Sequence, residues 1–132
     1  MKKILCFISI IALILITGCT KSKLETLSLD SLYEKINNKD SFVLYIHVGD
    51  SSLQSKLEQV LESNNLTGYY INGAKLSNEE KLKLETSITF DNSEIVFIIE
   101  GQDPSHLSHV TNDETTIKEL EARLKDMNFI KE

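Results

Sequence analysis

Between Leu27 and the end of the chain, apolar positions alternate between two rhythms. Leu29, Leu32, Tyr33 and Ile36 recur at helical spacing and share one face. Ser28 stands ahead of them as an N-cap, with Leu27 and Leu32 placed for a hydrophobic staple. Asn37-Asn38-Lys39-Asp40 ends that helix. Phe42 to Val48 is then almost continuously apolar, with β-branched and aromatic residues, and is bounded by Gly49 and Asp50. Such a run predicts a buried central strand. A second helix follows from about Ser52, with Leu53, Leu57, Val60 and Leu61 on one face. Leu66 to Ile71 is a second strand, and Asn72-Gly73 carries turn chemistry. Ser77-Asn78-Glu79-Glu80 is a capping box that opens a third, largely exposed helix. Glu94 to Ile99 predicts another buried strand. Gly101 to Pro104 turns the chain, and His106 to Val110 returns as a hairpin partner. Thr111-Asn112-Asp113-Glu114 caps a last helix whose Ile117, Leu120, Leu124 and Met127 face inward. The order is αβαβαββα. Strands alternating with helices imply an α/β domain with a mixed four-stranded sheet flanked by helices and closed by an antiparallel edge.

The segment from Met1 to Gly18 follows neither rhythm. Met1-Lys2-Lys3 is a basic head, and Ile4 to Ile16 is an apolar run broken only by Ser9. That run falls well short of the roughly 20 residues a spanning helix needs, so this layout predicts a secretory signal peptide. Its ending, Ile16-Thr17-Gly18-Cys19, resembles the bacterial lipobox, in which an aliphatic residue and two small ones precede a modified cysteine. The resemblance implies cleavage between Gly18 and Cys19 and a diacylglyceryl group, with palmitate-type chains, on the Cys19 sulfur. Small residues suit a narrow protease cleft, and the thiol is the good nucleophile that can take lipid. The alternative is an ordinary signal peptide followed by a chance cysteine. The chain then divides into a signal peptide (1–18), a lipidated cysteine with a short polar tether (19–26), and one domain (27–132). The expected location is the extracytoplasmic face of a cell membrane, held by lipid. Two or three acyl chains hold a protein firmly where one does not.

Charge and cysteine content narrow the classes further. Removing Lys2 and Lys3 with the leader lowers the basic count from 14 to 12 against 20 acidic residues, taking the net charge from −6 to −8. An acidic body does not favour nucleic acid. Lys21 and Lys23, beside the anchor, could favour anionic headgroups. The two cysteines are Cys6, which leaves with the leader, and Cys19, which carries lipid. The mature domain therefore has no free thiol, and so neither a disulfide framework nor a redox pair.

The element order, with the first long helix directly after a buried strand, resembles the thioredoxin fold. The nearest likeness is to small thioredoxin-like proteins of Gram-positive bacteria, including the bacteriocin transport accessory group. It spans roughly Leu27 to Ile130. Phe42-Val43-Leu44-Tyr45-Ile46 resembles the strand that runs into that family's redox motif. Ser93-Glu94-Ile95-Val96-Phe97 is similar to the later strand introduced there by a cis-proline, and Gly101 matches the glycine of its closing hairpin. Both chemical landmarks are absent. The CxxC stretch falls on Ser51-Ser52-Leu53-Gln54, and thiol–disulfide exchange needs a thiolate and a resolving sulfur. The cis-proline position falls on Ser93, and the one proline of the chain is Pro104. The resemblance implies that partners of active relatives lie across the start of the long helix and the loop opposite. Those positions are Asp50, Ser51, Ser52 and Leu53, with Asn92 and Ser93.

Other constellations have plainer readings beside their chemical ones. Ser51 or Ser52 as a nucleophile would need a base and an orienting partner, and no nucleophile-elbow motif is present. Helix capping accounts for Asp50, Ser51 and Ser52 without chemistry. Of the histidines, His47, His106 and His109, the last two point to opposite faces of a strand and make poor co-ligands. No metal site and no cofactor are expected. Tyr45, Tyr69 and Tyr70 could line a ligand groove or simply pack. Glu114, Glu119, Glu121 and Asp126 describe a solvated helix face. The function expected is a non-catalytic binding or accessory lipoprotein for an extracytoplasmic protein or peptide. An immunity or surface-exclusion lipoprotein, and an enzyme of non-redox chemistry on the same scaffold, remain alternatives.

Overall fold

The computed structural model describes residues 23–90, 92–107 and 113–131. It is an α/β domain built on a mixed sheet. β1 (Leu24–Thr26), β2 (Phe42–His47), β3 (Gly68–Asn72), β4 (Glu94–Ile99) and β5 (Gln102–Leu107) lie in the order β1-β3-β2-β4-β5. α1 (Leu29–Asn37), α2 (Ser52–Ser63), α3 (Asn78–Glu85) and α4 (Asp113–Asp126) flank it, with a short 3-10 turn at Gly73–Lys75. β1, β3 and β2 are parallel, whereas β4 runs antiparallel to β2 and β5 antiparallel to β4.

The sheet has five strands, not four, and β1 precedes the order read from hydrophobic spacing. Residues 24–26, assigned to the tether from their polarity, pair with β3 through Leu24↔Gly68 and Thr26↔Tyr70. The Gly68 N–H donates to the Lys23 carbonyl at 2.7 Å, and the Leu27 N–H to the Tyr70 carbonyl at 2.8 Å. Leu24 is buried against Leu61 of α2. Gly68 makes this close approach possible, since a Cβ there would lie 2.9 Å from Leu61 Cδ1 and 3.1 Å from Leu24 Cδ2.

Two apolar layers sandwich the sheet. Val43, Tyr45, Ile95 and Phe97 meet Leu53, Leu57, Val60 and Leu61 of α2 and Leu120 and Leu124 of α4. On the other face Leu44, Ile46, Val96 and Ile98 meet Leu32 of α1, Leu84 of α3, Ile88 and Phe90. This division follows the two-residue period of β2 and β4, whose neighbouring residues point to opposite faces. Because helices cover both faces, β2 and β4 read as unbroken apolar runs rather than alternating ones.

Local signals hold at several boundaries. Ser28 caps α1 by accepting from the Ser31 N–H at 3.2 Å. The Ser77 hydroxyl accepts from the Glu80 N–H at 3.2 Å, and the Ser77 N–H donates to the Glu80 carboxylate at 2.8 Å. The closing hairpin differs from expectation. Its turn is Glu100-Gly101, both with positive φ (51° and 73°), and Pro104 lies within β5. An edge strand tolerates proline because an outward-facing position there has no ladder bond to lose. Thr111 and Asn112, and Val110 at the expected end of the return strand, lie outside the described residues.

Candidate functional site

β2, the central strand, delivers its last residues to the end of the sheet where α2 begins. Tyr45 and His47 point to the α2 face, and Tyr45 stands opposite Tyr70 of β3. The three rings cluster. Tyr45 and Tyr70 centroids are 5.9 Å apart, Tyr45 and His47 are 6.2 Å apart, and His47 stacks on Tyr70 at 6.2 Å and 27°. Tyr45 is fully buried while His47 and Tyr70 are half-exposed. The Tyr45 hydroxyl donates to the Asp50 carbonyl at 2.9 Å, with His47 Nδ1 3.4 Å away. Burial pushes the Tyr45 phenol above its ordinary value; the neighbouring Ser93 hydroxyl opposes the rise, and Asp50 and Tyr70 add to it.

The start of α2 is capped one residue earlier than its geometry suggests. Ser51 occupies the N-cap position but makes no side-chain capping bond. Asp50 does that work. Its Oδ1 accepts from the Ser52 N–H at 2.9 Å, and its Oδ2 from the Ser52 hydroxyl at 3.0 Å. The Ser52 N–H is the main reason the Asp50 carboxyl lies below the usual carboxylate range. The Ser52 hydroxyl and the nearby His47 act in the same direction, against partial desolvation. An orphan N–H of the first turn is thus satisfied, and the negative charge sits at the positive end of the helix dipole.

The loop ahead of β4 is fastened to the loop after β2. The Ser93 hydroxyl accepts from the Val48 N–H at 2.8 Å and is buried, 5% exposed. Leu53, at 3% exposure, belongs to the core. Of the six residues placed at the docking positions, Asp50, Ser51, Ser52 and Asn92 are therefore on the surface, while Leu53 and Ser93 face inward. Among the described residues there is no cis peptide bond.

Two tyrosines grouped by sequence separate in space. Tyr69 and Tyr70 are adjacent on β3 and so point to opposite faces. Tyr69 packs edge-on to Phe42, 5.7 Å between centroids, beneath the Lys35 ammonium at 4.6 Å. His47, in turn, joins Tyr45 and Tyr70, a grouping that the tyrosines alone do not suggest. Period-2 alternation along β2 carries that signal, because residues 45 and 47 must share a face.

His47 and His106 lie on opposite faces of the sheet, since His106 pairs with Val96. His106 Nδ1 is 2.8 Å from the buried Glu94 carboxylate, and the Arg123 guanidinium donates to the His106 carbonyl at 2.9 Å. His109 lies outside the described residues. No group of three or more possible metal ligands occurs among the described residues. On α4, Glu114 pairs with Lys118 and Glu119 with Arg123, each one turn apart. No helix among the described residues is long and apolar enough to cross a membrane.

The arrangement offers an exposed helix start carrying hydroxyls, a capped carboxylate, and a stacked imidazole–phenol pair beside it. Those groups can hydrogen-bond and stack against a ligand. Neither protein-family models nor curated proteins match this sequence.

Proposed function

We propose that the chain is a non-catalytic, lipid-anchored lipoprotein whose thioredoxin-like domain binds an extracytoplasmic protein or peptide. The parallel crossovers, the long helix opening straight after the central strand, and the closing antiparallel hairpin support the scaffold assignment. The basic head, apolar run and Ile16-Thr17-Gly18-Cys19 support the anchor.

One observation carries the binding reading. At the start of α2, where the related scaffold holds its reactive thiols, this chain has exposed Ser51 and Ser52. Serine hydroxyls have no accessible thiolate-like state, so exchange chemistry is lost there. What survives is a recognition surface of exposed hydroxyls and partly exposed aromatic rings. An extended segment would lie beside His47 and Tyr70 and across Asn92, contributing backbone hydrogen bonds as in strand addition.

The test is crosslinking on intact cells with wild-type chain and with a Ser52→Arg/Asn92→Arg double variant. Both positions are exposed, so the arginines crowd the surface without entering the core. The expected result is capture of one partner by the wild type and its loss in the variant. Undiminished capture by a folded, membrane-held variant would move the binding surface elsewhere.

A further inference from the structure

The direction of the strands fixes which end of the domain faces the anchor. β1, β3 and β2 all start at one end. Lys23 is held there by the Gly68 N–H, and its ammonium donates to Asn65 Oδ1 at 3.0 Å. The Glu100-Gly101 turn lies at the same end, with the Gly101 N–H donating to the Asp40 carbonyl at 3.0 Å. α1, α2 and α4 all finish at this end too, Phe129 lining a cleft of about 300 Å³ with Phe42, Leu66 and Tyr69. The site around Asp50 and Ser51 occupies the opposite end.

Covalent length then excludes the inverted orientation. Four backbone steps join Cys19 to Lys23, a span of at most ~14 Å at ~3.3–3.6 Å per residue. α2 contains 12 residues and so is ~18 Å long, and Asp50 and Ser51 lie beyond its start. With Cys19 lipidated, the tether is too short to let the α2 start rest on the bilayer while Lys23 sits above it.

We propose that the end formed by Lys23, Lys39, Thr67, Phe129 and Lys131 is a membrane-facing surface seated on phospholipid headgroups. The start of α2, with Asp50, Ser51 and Ser52, consequently points away from the bilayer. The proposal rests on the lipid-anchor reading given above. Its chemistry suits that occupant. Leu66, Phe129 and Ile130 are apolar side chains packed against the core and only partly exposed, and Lys39, Lys125 and Lys131 are exposed. Among the described side chains at this end, Lys23, Lys39, Lys125 and Lys131 offset the acids Asp40, Glu62, Glu100 and Asp126, within a strongly acidic body. An anionic headgroup layer repels this end least.

No cysteine follows Cys19 in the sequence, so an introduced one is a unique labelling site once Cys19 is acylated. Thr67→Cys and Lys131→Cys mark the anchor end, and Ser51→Cys and Asn92→Cys mark the far end. All four positions are exposed. Each lipidated variant beginning at Cys19 is labelled with a fluorophore and placed in phosphatidylglycerol–phosphatidylethanolamine vesicles carrying headgroup spin labels, with the mass of the N-terminal peptide read in parallel. Quenching several-fold stronger at the anchor-end positions is the expected result. Equal or stronger quenching at Ser51→Cys and Asn92→Cys, in chains whose mass carries the lipid, overturns the orientation and leaves the anchor standing. Chains of unlipidated mass overturn both.

Discussion

The Val48 N–H and the Ser93 hydroxyl, far apart in sequence, meet at 2.8 Å and bolt two loops together at the end of the sheet where α2 begins. Ser93 is the acceptor, so its side chain is committed to the fold. Ser93→Ala removes that acceptor and leaves a half-buried backbone donor unpaired. The expected loss is about 1–2 kcal/mol of stability. Asn92→Ala, one residue away and exposed, should stay within about 0.5 kcal/mol. Urea unfolding of residues 19–132 measures both, and equal effects would show that the bond contributes nothing.

The acid limb of stability should be set partly by two caps. In the folded chain the Asp50 carboxyl lies below its ordinary value of 3.8, and Glu80, held chiefly by the Ser77 N–H, below its ordinary 4.5. A depressed folded pKa means stability is fully present above the ordinary value. It is lost as pH falls through the folded value. The Asp50→Asn/Glu80→Gln double variant keeps hydrogen-bonding side chains but removes both titrations. Its stability should therefore fall less steeply than wild type below about pH 4.5. Parallel slopes in unfolding curves from neutral to pH 2 would contradict the assignment.

Gly101 and Gly49 both have positive φ, at 73° and 103°, yet they should respond differently to alanine. A Cβ on Gly101 would press on the Ile36 carbonyl oxygen and lie 3.2 Å from Lys39 Cα, all of it backbone that cannot swing aside. A Cβ on Gly49 meets nothing within 4 Å. Gly101→Ala is expected to cost about 3 kcal/mol or more, by strain plus overpacking. Gly49→Ala should cost about 1–2 kcal/mol, from conformation alone. Thermal unfolding midpoints distinguish the two, and similar shifts would remove the contact from the explanation.

Much of this fold is legible in the sequence because hydrophobic period and capping chemistry agree. Ser28 and Ser77 announce helix starts, and Glu94 to Ile99 is bounded as read. β1 is invisible there for a physical reason. A strand as short as Leu24–Thr26, with Leu24 its one buried side chain, carries no period. Its order comes from backbone pairing with β3, which follows only after two helices and a strand. Pro104 misleads because proline usually punctuates, whereas here it sits on an edge strand and Glu100 takes the left-handed turn position. The exposure of the candidate site's residues is not legible in the sequence. Ser93 is polar and precedes a strand, and only the tertiary bond from Val48 explains its burial.

A chain beginning at Cys19 should have no dithiol activity. With Ser51 and Ser52 at the start of α2 and no cysteine after Cys19, neither the attacking nor the resolving sulfur exists. Residues 19–132 carrying Cys19→Ser should reduce insulin no faster than buffer and should not oxidise a dithiol peptide. Turnover above the buffer control would require a redox group outside thiol chemistry and would defeat the binding reading.

The anchor makes the most direct prediction. The Cys19 thiol is the atom that would accept the diacylglyceryl group, and serine presents a far weaker nucleophile at the same place. Cys19→Ser should therefore abolish incorporation of labelled fatty acid and leave the leader unprocessed at Gly18. The apolar run from Ile4 to Ile16 is too short to span a bilayer stably, so the unprocessed chain should be held less firmly than the lipidated one. At ~0.8 kcal/mol per buried methylene, two or three acyl chains resist extraction by salt or alkaline carbonate. Metabolic labelling followed by carbonate washing reads both effects in one preparation. Label retained on the serine variant would locate the lipid on another residue, and a wild-type chain free of label would reduce the segment from Met1 to Gly18 to an ordinary secretory signal.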